Sequence, residues 1–334
     1  MTESSEMSLP ARPRAIYWIA SLALASVLLY YSLRGIEWRR VWNIMRGAEP
    51  AVIALALAIM SLALFLRAFR WRVLLSADRS VSIPLAFWAT SAGYLGNNVL
   101  PARAGEVVRT LMISARSGMS KSFVLTTAFS ERVVDAIVLI TISAVVLLTL
   151  PERPGWLAEA ARPFAVLGLT GVAAIALLPA FESFWFRFLG SFPVRGGLKD
   201  RLEHVLRQAL QGVRSFHDRG RLTRFLLLTA LIWFLDGVTT IVGAHAIGVS
   251  ISLPLAFLLV AGLGLGSALP STPGYVGIYQ FVAVSVLTPF GLSRNNAIAY
   301  ILLFQAMNYV VVLVWGILGL GQQRRKVAVS SAGS

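Results

Sequence analysis

The sequence predicts an all-α polytopic membrane protein of about six transmembrane helices plus two re-entrant hairpins, arranged as an inverted repeat in a single membrane domain over 1–334. Three observations predict it. Of the 334 residues 57% are hydrophobic and 13% charged, whereas soluble domains carry about 25% charged residues. Six apolar stretches reach the roughly 20 residues needed to cross about 30 Å of hydrocarbon. Finally, PLAF at 84–87 returns as PLAF at 254–257, in each case opening an apolar stretch that is broken by Pro and Gly.

The six stretches lie at about 15–33, 51–69, 122–150, 163–182, 223–247 and 296–320. The first is long for a signal peptide and lacks a clear small-residue cleavage site, so it reads as a retained span. The stretches at 84–100 and 254–290 contain Pro and Gly in mid-run and read as re-entrant hairpins. If both hairpins return to the side they left, six crossings put the termini on one face. Lys and Arg choose the face: with the N-terminus inside, 22 basic residues are cytoplasmic and 7 are outside, which predicts a multi-pass membrane protein with both termini cytoplasmic. Arg34, Arg39, Arg40 and Arg46, in the first outside loop, run against that bias. Between 195 and 218 apolar residues such as Leu198, Leu202, Val205 and Val213 recur at helical spacing among Arg and Lys. This predicts an amphipathic helix, either on the cytoplasmic leaflet or packed on its own protein.

Thirty Lys and Arg against fifteen Asp and Glu give a net charge of +15. A soluble chain with that charge would suggest a nucleic-acid partner, but in a membrane chain it reflects basic loops, and no nucleic acid is expected. Without cysteine there are no disulfides, thiolate metal sites or cysteine nucleophiles. His204, His217 and His245 are too scattered to form a metal cluster.

The repeat extends beyond PLAF. LPARAGE at 100–106 aligns with LPSTPGY at 269–275, and Gly118 to Lys121 with Gly291 to Arg294, so that Asp135 falls opposite Asn308. The starts of the copies, 84–150 and 254–320, are separated by three crossings, an odd number that turns the second upside down. Inverted repeats with interrupted helices are typical of transporters whose site lies between the repeats near the midplane.

In the span at 122–150, Glu131 is roughly 13 Å and Asp135 roughly 20 Å from the start, at about 1.5 Å per residue. A charge at mid-bilayer costs about 2.5–3.5 kcal/mol, so Glu131, Arg132 and Asp135 must face protein or water. Glu131 and Asp135 share a helix face at i,i+4, and Arg132 reaches Asp135 at i,i+3. They form either a ligand site or a buried ion pair that fixes helix register. Upstream, NNVLPARAGEVVR places Asn97, Asn98, Arg103, Glu106 and Arg109 around Pro101 and Gly105. Pro and Gly allow the helix to break there and point free N–H groups inward. Arg103, Glu106 and Arg109 then share one face of the restarted helix. Two arginines beside a helix N-terminus suit a phosphodiester, unless Glu106 merely neutralises them. The second copy has Pro270, Pro273, Gly274 and Gly277 at its break, without charge, as a gate or neutral wall. An anionic headgroup would therefore be captured from the inner leaflet.

These motifs, N-N-x-x-P-x-R-x-G-E-x-x-R at 97–109, E-R-x-x-D at 131–135 and P-x-x-P-G-x-x-G at 270–277, resemble the flippase-like family typified by the transmembrane region of lysylphosphatidylglycerol synthase. The resemblance covers about 15–320 and implies a polytopic protein of the bacterial inner membrane that moves, or helps to move, a lipid between leaflets. The soluble aminoacyl-transferring domain of the synthase is not expected here, because the chain ends shortly after Arg324, Arg325 and Lys326. Gln280 stands where many relatives carry an acid, which argues against a cationic headgroup such as lysyl.

The expected function is thus lipid transport without catalysis or cofactor. The partner is a membrane lipid with a phosphate headgroup, held by Arg103, Arg109 and Arg132 and flanked by Glu106, Glu131, Asp135, Asn97 and Asn98. No nucleotide-binding G-x-x-x-x-G-K-[ST] motif is present, so a gradient or lipid mass action would drive it. The alternatives are a secondary transporter of a small organic anion and a non-transporting partner of a lipid-biosynthesis enzyme.

Overall fold

The computed structural model describes residues 11–100, 104–149, 155–177, 218–269 and 272–332, with the single positions 187, 203, 207 and 216. Every regular element among them is helical. The chain runs through α1 (Ala11–Leu33), α2 (Trp38–Arg46), α3 (Pro50–Leu75), α4 (Ile83–Val99), α5 (Gly105–Ser117), α6 (Lys121–Thr149) and α7 (Gly155–Leu177). It continues through α8 (Arg219–His245), α9 (Leu253–Gly266), a single turn at Pro273–Tyr275, α10 (Ile278–Leu287) and α11 (Arg294–Ala332).

Local chemistry sets many of these boundaries. Proline occupies the first turn of α3, α4 and α9, where a missing N–H costs nothing. The Asp218 carboxylate caps α8 by accepting from the Arg221 N–H at 2.7 Å. Gly118 stops α5 in the left-handed conformation, at φ 69°.

Among the described residues, four helices are long and apolar enough to cross a membrane: α3, α6, α8 and the Arg294–Gln322 part of α11. The Ile19–Leu33 part of α1 and α2 pass that test jointly, but are bent by 86°. The start of the expected span at 163–182 lies in α7, and 178–182 fall outside the described residues, as does nearly all of the expected amphipathic helix at 195–218. Two boundaries differ from expectation. The first outside loop contains a helix, α2, which exposes Trp38 and Trp42 and buries Val41. Aromatic residues beside arginines in that pattern suit a membrane–water interface. Its corner is pinned to the start of α11, where the Glu37 N–H donates to Asn295 Oδ1 at 3.1 Å and Arg294 Nη2 donates to the Tyr31 carbonyl at 2.6 Å. The second difference is that α3 continues to Leu75, so that Arg67 and Arg70 belong to a helix rather than to a basic loop.

Helix packing crosses between the two halves. α3 lies along α8, α4 packs on α11 and α5, and α9 packs on α6 and α10. Glycines allow the close approaches: a Cβ on Gly264 of α9 would overlap the Leu139 side chain of α6, and one on Gly316 of α11 would lie 2.6 Å from Leu95 Cβ of α4. The largest apolar core joins α9, α10 and α11 to the ends of α6 and α8. Phe129, Leu169 and Leu227 are among the large apolar side chains left exposed on the outside, as lipid-facing residues are.

Candidate functional site

The first hairpin is built on glycine. A Cβ on Gly105 would overlap the Gly93 carbonyl oxygen and come within 2.6 Å of the Asn97 nitrogen, so α5 returns directly against α4. Pro101 and Arg103, between the two helices, fall outside the described residues. That return places Glu106 in the first turn of α5, where it accepts from Asn97 Nδ2 at 3.3 Å, Arg109 Nε at 2.6 Å and Arg132 Nε at 3.1 Å.

From there the charges close into a ring. Arg109 Nη1 donates to Glu131 Oε2 at 3.1 Å, and Glu131 Oε1 accepts from Arg70 Nη2 at 2.9 Å. Arg70 also donates to both oxygens of Asp135, at 2.7 and 2.8 Å. Asp135 lies 3.9 Å from Arg132, which returns to Glu106. Three arginines and three carboxylates from α3, α5 and α6 therefore alternate with no net charge. Aromatic faces cover the guanidinium groups: Phe225 lies 5.0 Å from Arg70, Trp71 4.4 Å from Arg109 and Tyr94 5.4 Å from Arg132. A second pair, Arg67 of α3 with Asp236 of α8, stands beside the ring.

The ring has a dry side and a wet side. Arg70, Arg109 and Glu131 are almost completely buried, with side chains 2–3% exposed, while that of Arg132 is 25% exposed. Arg132 and Asp135 face a cavity of about 190 Å³, which Arg67 and Asp236 also line. The first hairpin supplies Tyr94, Asn97 and Asn98 to its wall; the second supplies Ser267, Tyr275 and Tyr279, and the last helix supplies Asn308. Of the residues singled out from sequence, Asn97, Asn98, Arg132 and Asp135 border this space, whereas Glu106, Arg109 and Glu131 stand behind it and hold its wall.

Sequence reasoning missed Arg67 and Arg70. Two signals pointed to them: E-R-x-x-D leaves one helix with two acids and a single arginine, and apolar residues flank both positions as far as Leu75.

The second break is held by neutral groups. Gly274 has φ 71° and Gly277 φ 91°, and Pro270 falls outside the described residues. The Gly277 N–H donates to Gln280 Oε1 at 2.7 Å, Gln280 Nε2 to Gln305 Oε1 at 2.5 Å and Gln305 Nε2 to the Gly274 carbonyl at 3.0 Å. Each hairpin break is thus tied to a long helix that follows it, through Glu106–Arg132 in the first and Gly274–Gln305 in the second. Gln280 is a tether within the break.

The Arg67–Asp236 pair offers a direct check. Asp236→Ala strands a guanidinium among Tyr94 and apolar neighbours, so a loss of about 1.5–3 kcal/mol is expected. Thermal unfolding in mild detergent measures it, and the swap Arg67→Asp with Asp236→Arg should recover part of the loss. Equal melting of native protein and Asp236→Ala would contradict the pairing.

A family model described as the lysylphosphatidylglycerol synthase TM region matches residues 18–316 of the chain. Among curated proteins, the chain is 27% identical to glycosyltransferase AglD of Haloferax volcanii over 92% of its own length and 54% of that protein. It thus spans about half the length of that relative. It is 22% identical to a UPF0104 membrane protein of Methanothermobacter thermautotrophicus, with 95% of the chain and 96% of that protein covered. A UPF0104 membrane protein of Methanocaldococcus jannaschii is 24% identical over 66% of the chain and 90% of its own length.

Proposed function

This chain belongs to the family of the lysylphosphatidylglycerol synthase transmembrane region, and from that premise we propose that it carries an anionic phospholipid or glycolipid between the leaflets of the inner membrane. The observation that carries the proposal is the cavity: a polar space bordered by four charged side chains and by both hairpins, inside a bundle whose outer surface is apolar. A charged wall in such a bundle is costly unless something polar uses it.

The inverted repeat has its own support. α4 packs on the last helix of the other copy and α9 on the last helix of the first. Contacts exchanged between copies in this way are what a two-fold relation produces. In transporters such an arrangement lets two halves rock around a central site. Placing both termini in the cytoplasm follows from the distribution of Lys and Arg, which stays biased inward after Arg67, Arg70 and Arg109 are assigned to the buried cluster.

Within the ring, Arg132 is the residue suited to meet a phosphate. Its contact with Asp135 is the longest link, at 3.9 Å, and Asp135 keeps Arg70 when Arg132 moves. Glu106 likewise keeps Arg109. A phosphate oxygen therefore takes Arg132 without leaving a buried carboxylate alone, whereas capture by Arg109 would break two buried contacts. The protein acts as a carrier rather than a catalyst in this reading, and the activity in the name of AglD belongs to that protein.

The test is leaflet-resolved labelling of a fluorescent phosphatidylglycerol in proteoliposomes. Native protein should speed exchange over empty vesicles. Arg132→Gln should lower the rate about 10- to 100-fold, the value of one charge-assisted phosphate contact of about 1.5–3 kcal/mol, and should melt close to the native protein. Exchange no faster than in empty vesicles would sink the proposal.

A further inference from the structure

The cavity wall holds polar atoms that ask for a specific kind of occupant. Asn98 Nδ2 donates to the Tyr94 carbonyl at 2.9 Å, and Asn97 Nδ2 to Glu106 Oε1 at 3.3 Å. Both partners only accept, so both amide orientations are fixed. Each Oδ1 is left buried, with no partner among the described residues. The two side chains border the cavity in residues only 8% and 9% exposed. Trp233 also borders it, and its Nε1, which can only donate, is buried without a partner. Unpaired buried groups of this kind are costly and uncommon.

The Asn97 oxygen lies against Gly105, within 2.6 Å of where a Cβ there would sit, so an occupant that satisfies this wall must bring a donor for the Asn98 oxygen and an acceptor for the indole N–H. Phosphodiester oxygens accept only, and an ammonium donates only. A hydroxyl group does both. Charge leads to the same choice: Arg67 and Arg132 are balanced by Asp135 and Asp236, so the wall has no excess to attract a dianion or a second cation. Aromatic rings complete it. Tyr275 and Tyr279 stack at 5.0 Å and 13°, and Tyr275, at φ 61°, is the one non-glycine residue with positive φ among the described residues. Such strain in a bulky residue concentrates at binding sites. At about 190 Å³ the space is smaller than the roughly 300–1,000 Å³ that encloses drug-sized ligands, so it accommodates a headgroup rather than a whole lipid.

We infer that the cavity selects a lipid whose headgroup is a single sugar or cyclic polyol, with hydroxyls on Asn98 and the Trp233 indole. Where a phosphate links that headgroup to the lipid, it sits at Arg132. The inference deepens the transport reading and rests on its cavity, and it is tested by binding rather than by movement.

The full chain in phosphatidylcholine nanodiscs is titrated with monoglucosyldiacylglycerol, phosphatidic acid and phosphatidylethanolamine of matched chains, with thermal unfolding as readout. The glucosyl lipid should raise the melting temperature saturably and more than either of the others. Trp233→Phe and Asn98→Leu should each weaken its apparent affinity about ten-fold and leave the response to phosphatidic acid unchanged. Trp233→Phe retains an aromatic ring and decides the matter alone if Asn98→Leu fails to fold. The inference is overturned if phosphatidic acid or phosphatidylethanolamine stabilises as well as the glucosyl lipid, or if Trp233→Phe binds the glucosyl lipid as tightly as native protein. Selective glucosyl-lipid binding without leaflet exchange would sink the transport reading alone. Exchange of phosphatidylglycerol without selective binding would sink this inference alone.

Discussion

Arg70→Leu is expected to cost about 3–5 kcal/mol of stability, the range for removing one partner of a buried ion pair. Arg70 is 1% exposed and donates to Glu131, to both oxygens of Asp135 and to Thr229 Oγ1. Without it Glu131 retains only Arg109, and Asp135 retains only Arg132 at 3.9 Å. The penalty arises from the stranded carboxylates rather than from the lost contacts themselves. Adding Glu131→Gln and Asp135→Asn to Arg70→Leu should therefore recover a large part of the loss. Thermal unfolding in mild detergent compares native, single and triple variants. The ring also sets an order of severity: Arg109→Leu leaves every carboxylate a partner and should cost less than Arg70→Leu, and Arg132→Gln less again. Arg70→Leu melting with the native protein would refute the ring.

Gly105→Ala is the second large effect. The added methyl would meet backbone atoms, the Gly93 oxygen and the Asn97 nitrogen, which cannot swing aside as a side-chain end can. Overpacking of this kind costs about 1–3 kcal/mol, and here the upper end is expected. The helix that shifts is α5, which carries Glu106 and Arg109, so the displacement spreads to Arg132. Both melting temperature and lipid exchange should fall together. By contrast, Gly155→Ala, where the new methyl meets nothing within 4 Å, should leave both unchanged. If the two variants behave alike, close packing of α4 on α5 does not govern the site.

Glu131 and Asp135 illustrate what a linear reading provides. Two acids at i,i+4 inside a long apolar run cannot face lipid, and their common face follows from helical periodicity alone. Arg132 as neighbour of Asp135 is legible in the same way, but as the longest of the contacts. The decisive partner, Arg70, lies 61 residues before Glu131 on another helix. No local pattern specifies that distance. Arg109 shows the converse: its motif suggested an open phosphate site, whereas folding buries it beneath Trp71 with Glu106 and Glu131 on its guanidinium.

The amino-acid order alone determined the all-helical character, the positions of the long apolar helices and the two Pro–Gly breaks, because each depends on hydrophobic periodicity or backbone freedom within a short window. It also required that the charges of α6 be sheltered. Only the tertiary structure decided which cations shelter them, that Arg67 meets Asp236, and which side of the ring faces the cavity. Those outcomes depend on helix packing across the halves, where close approaches at glycine select which distant side chains come within reach of one another.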